Sequence, residues 1–167
     1  MRNSKTVAFL GVCTALALVL AYLEALIPPL FPGLPGIKMG LPNIIIIFLL
    51  YRRGAGSAIA VSLLRMVLVA LLFGNGMMLA YSLAGGALSM LVMLLLRKAN
   101  LFSAVGVSVA GGVMHNVGQI LMAMLLLDTT ELGYYLVVLT VIGTIAGIFV
   151  GLCGSALIKK IPVKVSL

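Results

Sequence analysis

The polar side chains that could bind a ligand are few in this 167-residue sequence, and they lie within or beside long apolar stretches. An ionisable or amide group in such surroundings costs free energy unless it has a partner, so each one is a candidate functional residue. Arg65 and Lys38 could hold an anionic group, and Glu24 could orient Arg65 or accept a hydrogen bond from a ligand. His115 and Gln119 are four residues apart, which places them on one face of a helix. The other candidates supply amide and phenol groups: Asn43, Tyr81 and Asn116.

The same residues offer little for catalysis or metal binding. The sequence contains one histidine, one aspartate and two glutamates, which is too few for most acid–base or nucleophilic constellations. Cys13 and Cys153 are two isolated thiols, fewer than the four ligands of a structural zinc site. We therefore predict no catalytic residue, no metal ion and no cofactor, and we interpret both cysteines as packing residues.

The composition indicates where the chain resides. Sixty-three per cent of the residues are hydrophobic and 8% are charged, and the mean hydropathy is +1.32. Soluble domains have about 45–50% apolar and about 25% charged residues. A soluble domain of this length leaves roughly 30% of its unfolded surface in contact with water, and this sequence has too few polar groups to cover that surface. The composition predicts an integral membrane protein and excludes a soluble enzyme or a secreted module.

The net charge of +8 arises mainly from short basic clusters between the apolar stretches. Clusters beside every second membrane boundary follow the positive-inside rule, so both termini are predicted to be cytoplasmic. No basic face with interleaved aromatic residues is present in the sequence, so nucleic acid is not a predicted partner. We expect a multi-pass protein of the bacterial cytoplasmic membrane. The clusters are Arg2 with Lys5, Arg52-Arg53, Arg97-Lys98, and Lys159-Lys160 with Lys164.

Six transmembrane helices are predicted in one all-α membrane domain over 1–167, because a span needs about 20 apolar residues to cross about 30 Å of hydrocarbon. The second span is the exception, since residues 41–51 form only about 17 Å of helix at about 1.5 Å per residue. The Pro- and Gly-rich segment 28–40 before it is predicted to dip into the membrane and, with Asn43, to cover a binding site. The predicted spans are about 6–27, 41–51, 54–73, 77–96, 102–127 and 133–158.

These spans place the candidate residues at one depth, in the half of the membrane away from the cytoplasm. Candidate residues from five spans and a loop share this depth. Their common depth predicts an externally accessible pocket for a small anionic or polar molecule with an apolar body. A structural interpretation stays open for each residue. Arg65 and Glu24 can neutralise each other, and His115 can form an interhelical hydrogen bond. The amides of the fifth span can join helices in the same way, and Tyr81 fits an interfacial aromatic belt.

Small residues recur every four positions in the first and last spans, a spacing that lets helix backbones approach closely in lipid. In the last span, the glycines spaced in this way from Gly143 onward favour packing inside the bundle. In the first span, the stripe of Ala17, Ala21 and Ala25 fits a partner subunit or an internal neighbour equally well. The sequence has no glycine–lysine loop for ATP, so transport driven by ATP would require partner ATPases.

Four runs of residues resemble one family: KMGLPN at 38–43, LR at 64–65 followed by LFG at 72–74, SLAGG at 82–86, and HNVGQ at 115–119. Over nearly its whole length the chain resembles the family labelled heptaprenyl diphosphate synthase component I or Gx transporter family. That family is similar in size and six-span layout to the substrate-binding S components of energy-coupling factor (ECF) transporters. S components bind vitamins or their precursors in an outward-side pocket and dock on a membrane coupling subunit that works with two ATPases. The resemblance implies docking through the alanine stripe and a substrate related to isoprenoids, quinones or flavins.

Two functions follow as expectations. The first is a substrate-binding subunit of an ECF-type transporter and not an enzyme, in which Lys38 and Arg65 hold the anionic part of the substrate and polar residues of the fifth span supply hydrogen bonds. The alternative is a non-catalytic membrane accessory component of a heptaprenyl diphosphate synthase or of a membrane redox complex. Synthesis of a prenyl diphosphate needs paired aspartates to hold Mg²⁺, and the single aspartate here is Asp128, with Glu131 nearby.

Overall fold

The structure is a computed structural model that describes residues 2–27 and 39–161. Helices joined by turns make up these residues, and no strand occurs in either described range. The predicted all-helical architecture is therefore confirmed for the described part of the chain. The elements are α1 (Arg2–Ala25), α2 (Asn43–Arg52), α3 (Ala55–Phe73), α4 (Gly76–Ala99), α5 (Ala104–Leu127), a short 3₁₀ helix (Glu131–Tyr135) and α6 (Leu136–Lys160).

Five of the helices are long and apolar enough to cross a membrane, whereas α2 has only ten residues. Ten residues of α-helix are about 15 Å long, half of the hydrocarbon thickness. The predicted short second helix is thus confirmed, and the chain has the helices of a multi-pass membrane protein. A sixth crossing and the cytoplasmic placement of both termini stay predictions. Residues 28–38, which contain Lys38 and most of the predicted dipping loop, lie outside the described residues.

Short turns join the helices from α2 to α5 and reverse the chain. The side chain of Asn75 accepts a hydrogen bond from the backbone N–H of Met78 at the start of α4, at 2.9 Å. Ser103 caps α5 in the same way through the N–H of Gly106. Such caps satisfy backbone donors that a helix start leaves unpaired. Because these turns are short, the helices that they join are antiparallel neighbours, and residues on either side of a turn lie at similar depths.

The short helix α2 forms the centre of the bundle. Its residues 45–50 are all buried, and α1, α3, α5 and α6 pack around it. A helix that is apolar on every side is typical of a position enclosed by other helices. At its C-terminal end, Nε of Arg52 donates to the backbone carbonyl of Ile158 at 3.0 Å, which joins α2 to the last turns of α6.

Glycines bring α4, α5 and α6 into backbone contact. A Cβ atom added at Gly147 would lie 2.6 Å from Cα of Val109, and one added at Gly118 would lie 2.7 Å from the carbonyl oxygen of Ala84. Neighbouring backbone cannot give way as a flexible side chain can, so only glycine fits at these crossings. Gly143 likewise faces α5, which confirms that the glycine stripe of the last span packs inside the bundle.

Two residues of the alanine stripe of α1 pack against other helices of the same chain. Ala17 is fully buried and Ala21 is 8% exposed, while Ala25 is exposed. Among the described residues, α1 contacts only α3 and α2, so the two buried alanines serve contacts within the chain. For Ala17 and Ala21 the structure therefore shows the internal neighbour, and docking of a partner subunit through the stripe stays a prediction. The large residues that α1 exposes on its other side are Val12, Leu16, Val19 and Leu23.

We expect Gly147→Ala to lower the free energy of unfolding by about 1–3 kcal/mol, because the added methyl overlaps the α5 backbone. Gly11→Ala is the matched control, since a Cβ added there meets no atom within 4 Å and alanine favours a helix by up to about 1 kcal/mol over glycine. Thermal unfolding in detergent, followed by helical circular dichroism, measures both. Equal unfolding temperatures for the two variants would contradict the close approach of α5 and α6.

Candidate functional site

A cavity of about 290 Å³ lies between α1, α3, α4, α5 and the turn that precedes α2. All the predicted site residues that the structure describes line its wall, although they come from separate segments of the chain. Lys38, the eighth predicted residue, lies outside the described residues. The predicted residues around the cavity are Glu24, Asn43, Arg65, Tyr81, His115, Asn116 and Gln119.

The turn between α3 and α4 brings two of these side chains to similar depths. Arg65 is eight residues before the last residue of α3, and Tyr81 is five residues after the first residue of α4. At about 1.5 Å per residue, they lie about 12 Å and about 8 Å from the ends that the turn joins. Polar residues far apart in the sequence therefore meet around the same cavity.

The carboxylate of Glu24 fixes the wall of the cavity where α1 approaches α2. Glu24 is 7% exposed, and its Oε1 atom accepts a hydrogen bond from the backbone N–H of Gly40 at 2.5 Å. Gly40 has a φ of +72°, a left-handed conformation that favours glycine. A Cβ added there would also lie 3.2 Å from the amide nitrogen of Asn43. Glu24 thus holds the turn that presents Asn43 to the cavity, a role that its position in the sequence did not reveal.

Arg65 supplies the positive charge of the cavity wall. Its Nε atom is buried and has no hydrogen-bond partner among the described residues. Glu24 lines the same cavity, and its negative charge stabilises the guanidinium. Arg65 lines the cavity, and its guanidinium can therefore bind an anionic or carbonyl oxygen there.

The polar residues of α5 face two neighbouring helices. The side-chain nitrogen of Asn116 donates to the backbone carbonyl of Leu139 at 2.8 Å, so this amide joins α5 to α6 as the structural interpretation expected. His115 and Gln119 instead pack against Gly85 of α4. A Cβ on Gly85 would lie 2.6 Å from the carbonyl oxygen of His115 and 2.8 Å from Cγ of Gln119. Glycine at position 85 therefore makes the room in which both side chains lie.

The apolar part of the wall was missed at the sequence level. Met66 and Val69 of α3 line the cavity beside Arg65, and Met78 of α4 lines it beside Tyr81. Val69 is four residues after Arg65 and therefore lies on the same face of α3. This spacing was the signal that could have identified Val69 from the sequence. Methionine side chains are flexible and polarisable, which suits a wall that contacts an irregular apolar ligand.

A second, smaller cavity of about 40 Å³ adjoins the first. Asn43, His115 and Asn116 line both cavities, and the hydroxyl-bearing residues Ser89 and Ser108 line only the smaller one. A volume of this size holds a few water molecules and not a metabolite. The larger cavity is therefore the candidate ligand site, with the smaller one as a polar recess behind it.

We expect Glu24→Ala to lower the free energy of unfolding by about 1–3 kcal/mol, because it leaves the part-buried N–H of Gly40 without its acceptor. Glu131→Ala removes an exposed carboxylate and is expected to change stability by less than about 0.5 kcal/mol. Thermal unfolding of both purified variants in detergent tests the difference. Indistinguishable unfolding temperatures would mean that Glu24 does not hold the turn.

Comparison with known proteins places this architecture in a sequence family. A family model described as heptaprenyl diphosphate synthase component I matches residues 13–157. The match extends from the middle of α1 to near the end of α6 and includes every residue around the larger cavity. Neither the curated proteins nor the solved structures contain a significant match.

Proposed function

The chain belongs to the heptaprenyl diphosphate synthase component I family, and from that premise we propose that it is a membrane subunit that binds a small anionic or polar metabolite. The observation that supports this best is the cavity of about 290 Å³, which is lined by polar side chains from α1, α3, α4 and α5. Polar groups are costly inside an apolar bundle, and a ligand that uses them explains why they converge there.

The wall suggests the chemistry of the ligand. The guanidinium of Arg65 suits a carboxylate or phosphate oxygen, and the amide of Gln119 can donate to or accept from a polar ring or carbonyl. Met66, Val69 and Met78 provide apolar contact for the rest of the molecule. Ligand pockets usually have volumes of about 300–1,000 Å³, and the volume of this cavity is near the lower end of that range, so the ligand is small. Isoprenoid, quinone or flavin-related compounds that carry an anionic group fit this description.

As a mechanism, we propose that the protein captures its ligand in the manner of an ECF transporter S component. The ligand enters from the extracytoplasmic side, and Lys38 is proposed to help Arg65 hold its anionic part. The sequence has no ATP-binding loop, so a coupling subunit and its ATPases supply the energy. The side of α1 that carries Val12 and Leu16 is exposed and is available to such a partner.

The second candidate function is that of a membrane accessory component of a heptaprenyl diphosphate synthase. The description of the family favours it. In this alternative the chain anchors or regulates a separate catalytic subunit. Asp128 is the single aspartate of the sequence, and it cannot form the paired carboxylates that would hold Mg²⁺ on a diphosphate. In both functions the chain itself is non-catalytic.

Substitution at the cavity tests ligand binding. We expect Arg65→Gln to remove a retained small molecule from the purified protein, because the anionic group loses its charge-assisted hydrogen bond. His115→Ala is expected to weaken retention by about tenfold, the loss of one hydrogen bond to a polar ligand. Native mass spectrometry from detergent measures the bound fraction. Lys98→Gln removes an exposed positive charge outside the cavity and is the control. Full retention by both cavity variants would contradict the proposed site.

Co-purification separates the two functions. A transport subunit is expected to bring down ATPases and a membrane coupling protein, and an accessory subunit to bring down a soluble prenyltransferase. Ala15 is exposed on α1 and Ala87 is exposed on α4, so tryptophan at either position points away from the core. We expect Ala15→Trp to release the coupling protein and Ala87→Trp to retain it, because close helix packing needs small residues. Recovery of the prenyltransferase alone would decide for the accessory role.

A further inference from the structure

Two neighbouring glycines of α4, Gly85 and Gly86, face different helices. A Cβ atom added at Gly85 would meet the backbone of α5, at 2.6 Å from the carbonyl oxygen of His115. One added at Gly86 would lie 2.9 Å from Sδ and 3.0 Å from Cε of Met66, at the end of a side chain of α3. Successive side chains of an α-helix point about 100° apart, because the helix has about 3.6 residues per turn. Gly86 therefore makes room for the end of the Met66 side chain.

The same methionine is part of the wall of the larger cavity. Met66 is 4% exposed, and it lines the cavity directly after Arg65 in the sequence. On the facing helix, Ser82 lines the same cavity. Gly86 is four residues after Ser82, so it lies one turn further along the same face of α4. Met66 therefore has both Gly86 and the cavity beside it.

A side chain at position 86 would change the volume of the cavity. A separation of 2.9 Å from sulfur is shorter than van der Waals contact, so the end of Met66 would have to move. Methionine has three rotatable bonds, and its end moves at low cost. Because protein interiors are otherwise closely packed, the cavity is the free space into which the thioether would turn. An alanine at position 86 is therefore expected to make the cavity smaller and to leave the helix backbones in place.

We propose that Gly86 is a positioning residue that sets the size of the ligand that the larger cavity accepts. By receiving the end of Met66, it keeps the space beside Arg65 open. This inference rests on the proposed binding of an anionic ligand at Arg65, and it narrows the class of that ligand. Because Arg65 and Met66 are neighbours in the wall, the charged group of the ligand is joined closely to an apolar body, as in an alkyl phosphate or carboxylate.

Calorimetric titration of the purified protein with straight-chain alkyl phosphates, from methyl to hexyl phosphate, tests this role in a neutral detergent. For the wild type we expect the affinity to rise about fourfold with each methylene that is buried, up to a length limit at which the cavity is full. For Gly86→Ala we expect the length limit to fall by about one methylene, with the shortest phosphates bound within about twofold of the wild type. A general structural defect would instead weaken the binding of every phosphate alike.

Three further variants show whether the effect passes through Met66. Gly76→Ala makes the same change in the same helix, where the added Cβ meets no atom within 4 Å, and is expected to leave the length limit unchanged. Met66→Val removes the sulfur and the terminal methyl that lie against Gly86, and is expected to raise the limit by about one methylene or more. The double variant Gly86→Ala with Met66→Val is expected to restore at least the wild-type limit, because valine does not reach position 86.

The outcomes separate this inference from the proposed function. An unchanged length limit in Gly86→Ala, or in Met66→Val, overturns the role of Gly86 while the wild type still binds. A wild type that binds no alkyl phosphate overturns the proposed anion site as well.

Thermal unfolding in detergent tests the same geometry without a ligand. Gly86→Ala is expected to unfold close to the wild-type temperature, because its Cβ meets only the flexible end of Met66. Gly85→Ala is expected to unfold at a lower temperature, because its Cβ meets the backbone of α5. A Gly86→Ala variant as unstable as Gly85→Ala would contradict the proposed role.

Discussion

Backbone contact between glycine-bearing helices is the constraint on which the rest of the structure depends. Gly118 and Gly147 allow α5 to touch α4 and α6 without intervening side chains, and such packing is a main source of helix association where no water is expelled. The same close approach directs the polar residues of α5. Because Gly85 has no side chain, His115 and Gln119 lie against α4 at the edge of the larger cavity.

The cavity forms where this close packing ends. Across the gap from α4 and α5, helices α1 and α3 supply Glu24 and Arg65, the two oppositely charged groups of the wall. Glu24 has two tasks, since it accepts the N–H of Gly40 and stabilises the charge of Arg65. One carboxylate therefore fixes both the turn at the cavity wall and the charge beside it. A ligand anion at Arg65 would bind to a guanidinium that Glu24 already stabilises.

The two ends of the bundle have different chemistry as a result of where the few charges lie. The cavity end combines Arg65 with Glu24, so a charge there has a partner of opposite sign. The other end has Arg52, Arg53 and Arg97 and no acidic residue from the whole sequence.

The sequence by itself determined the helical class and the short second helix, and it identified the polar residues that come together. Those properties depend on local composition and on position along a helix, so seven of the eight predicted site residues, all that the structure describes, line one cavity. Only the tertiary structure decided which face of each helix points inward. The spacing of Ala17 and Ala21 fitted a partner subunit and an internal neighbour equally well, because lipid is as apolar as a protein core. The structure shows that both residues are buried within the chain. The hydrogen bond from Gly40 to Glu24 and the apolar wall at Met66 and Val69 likewise depend on contacts between distant segments, which no local pattern specifies.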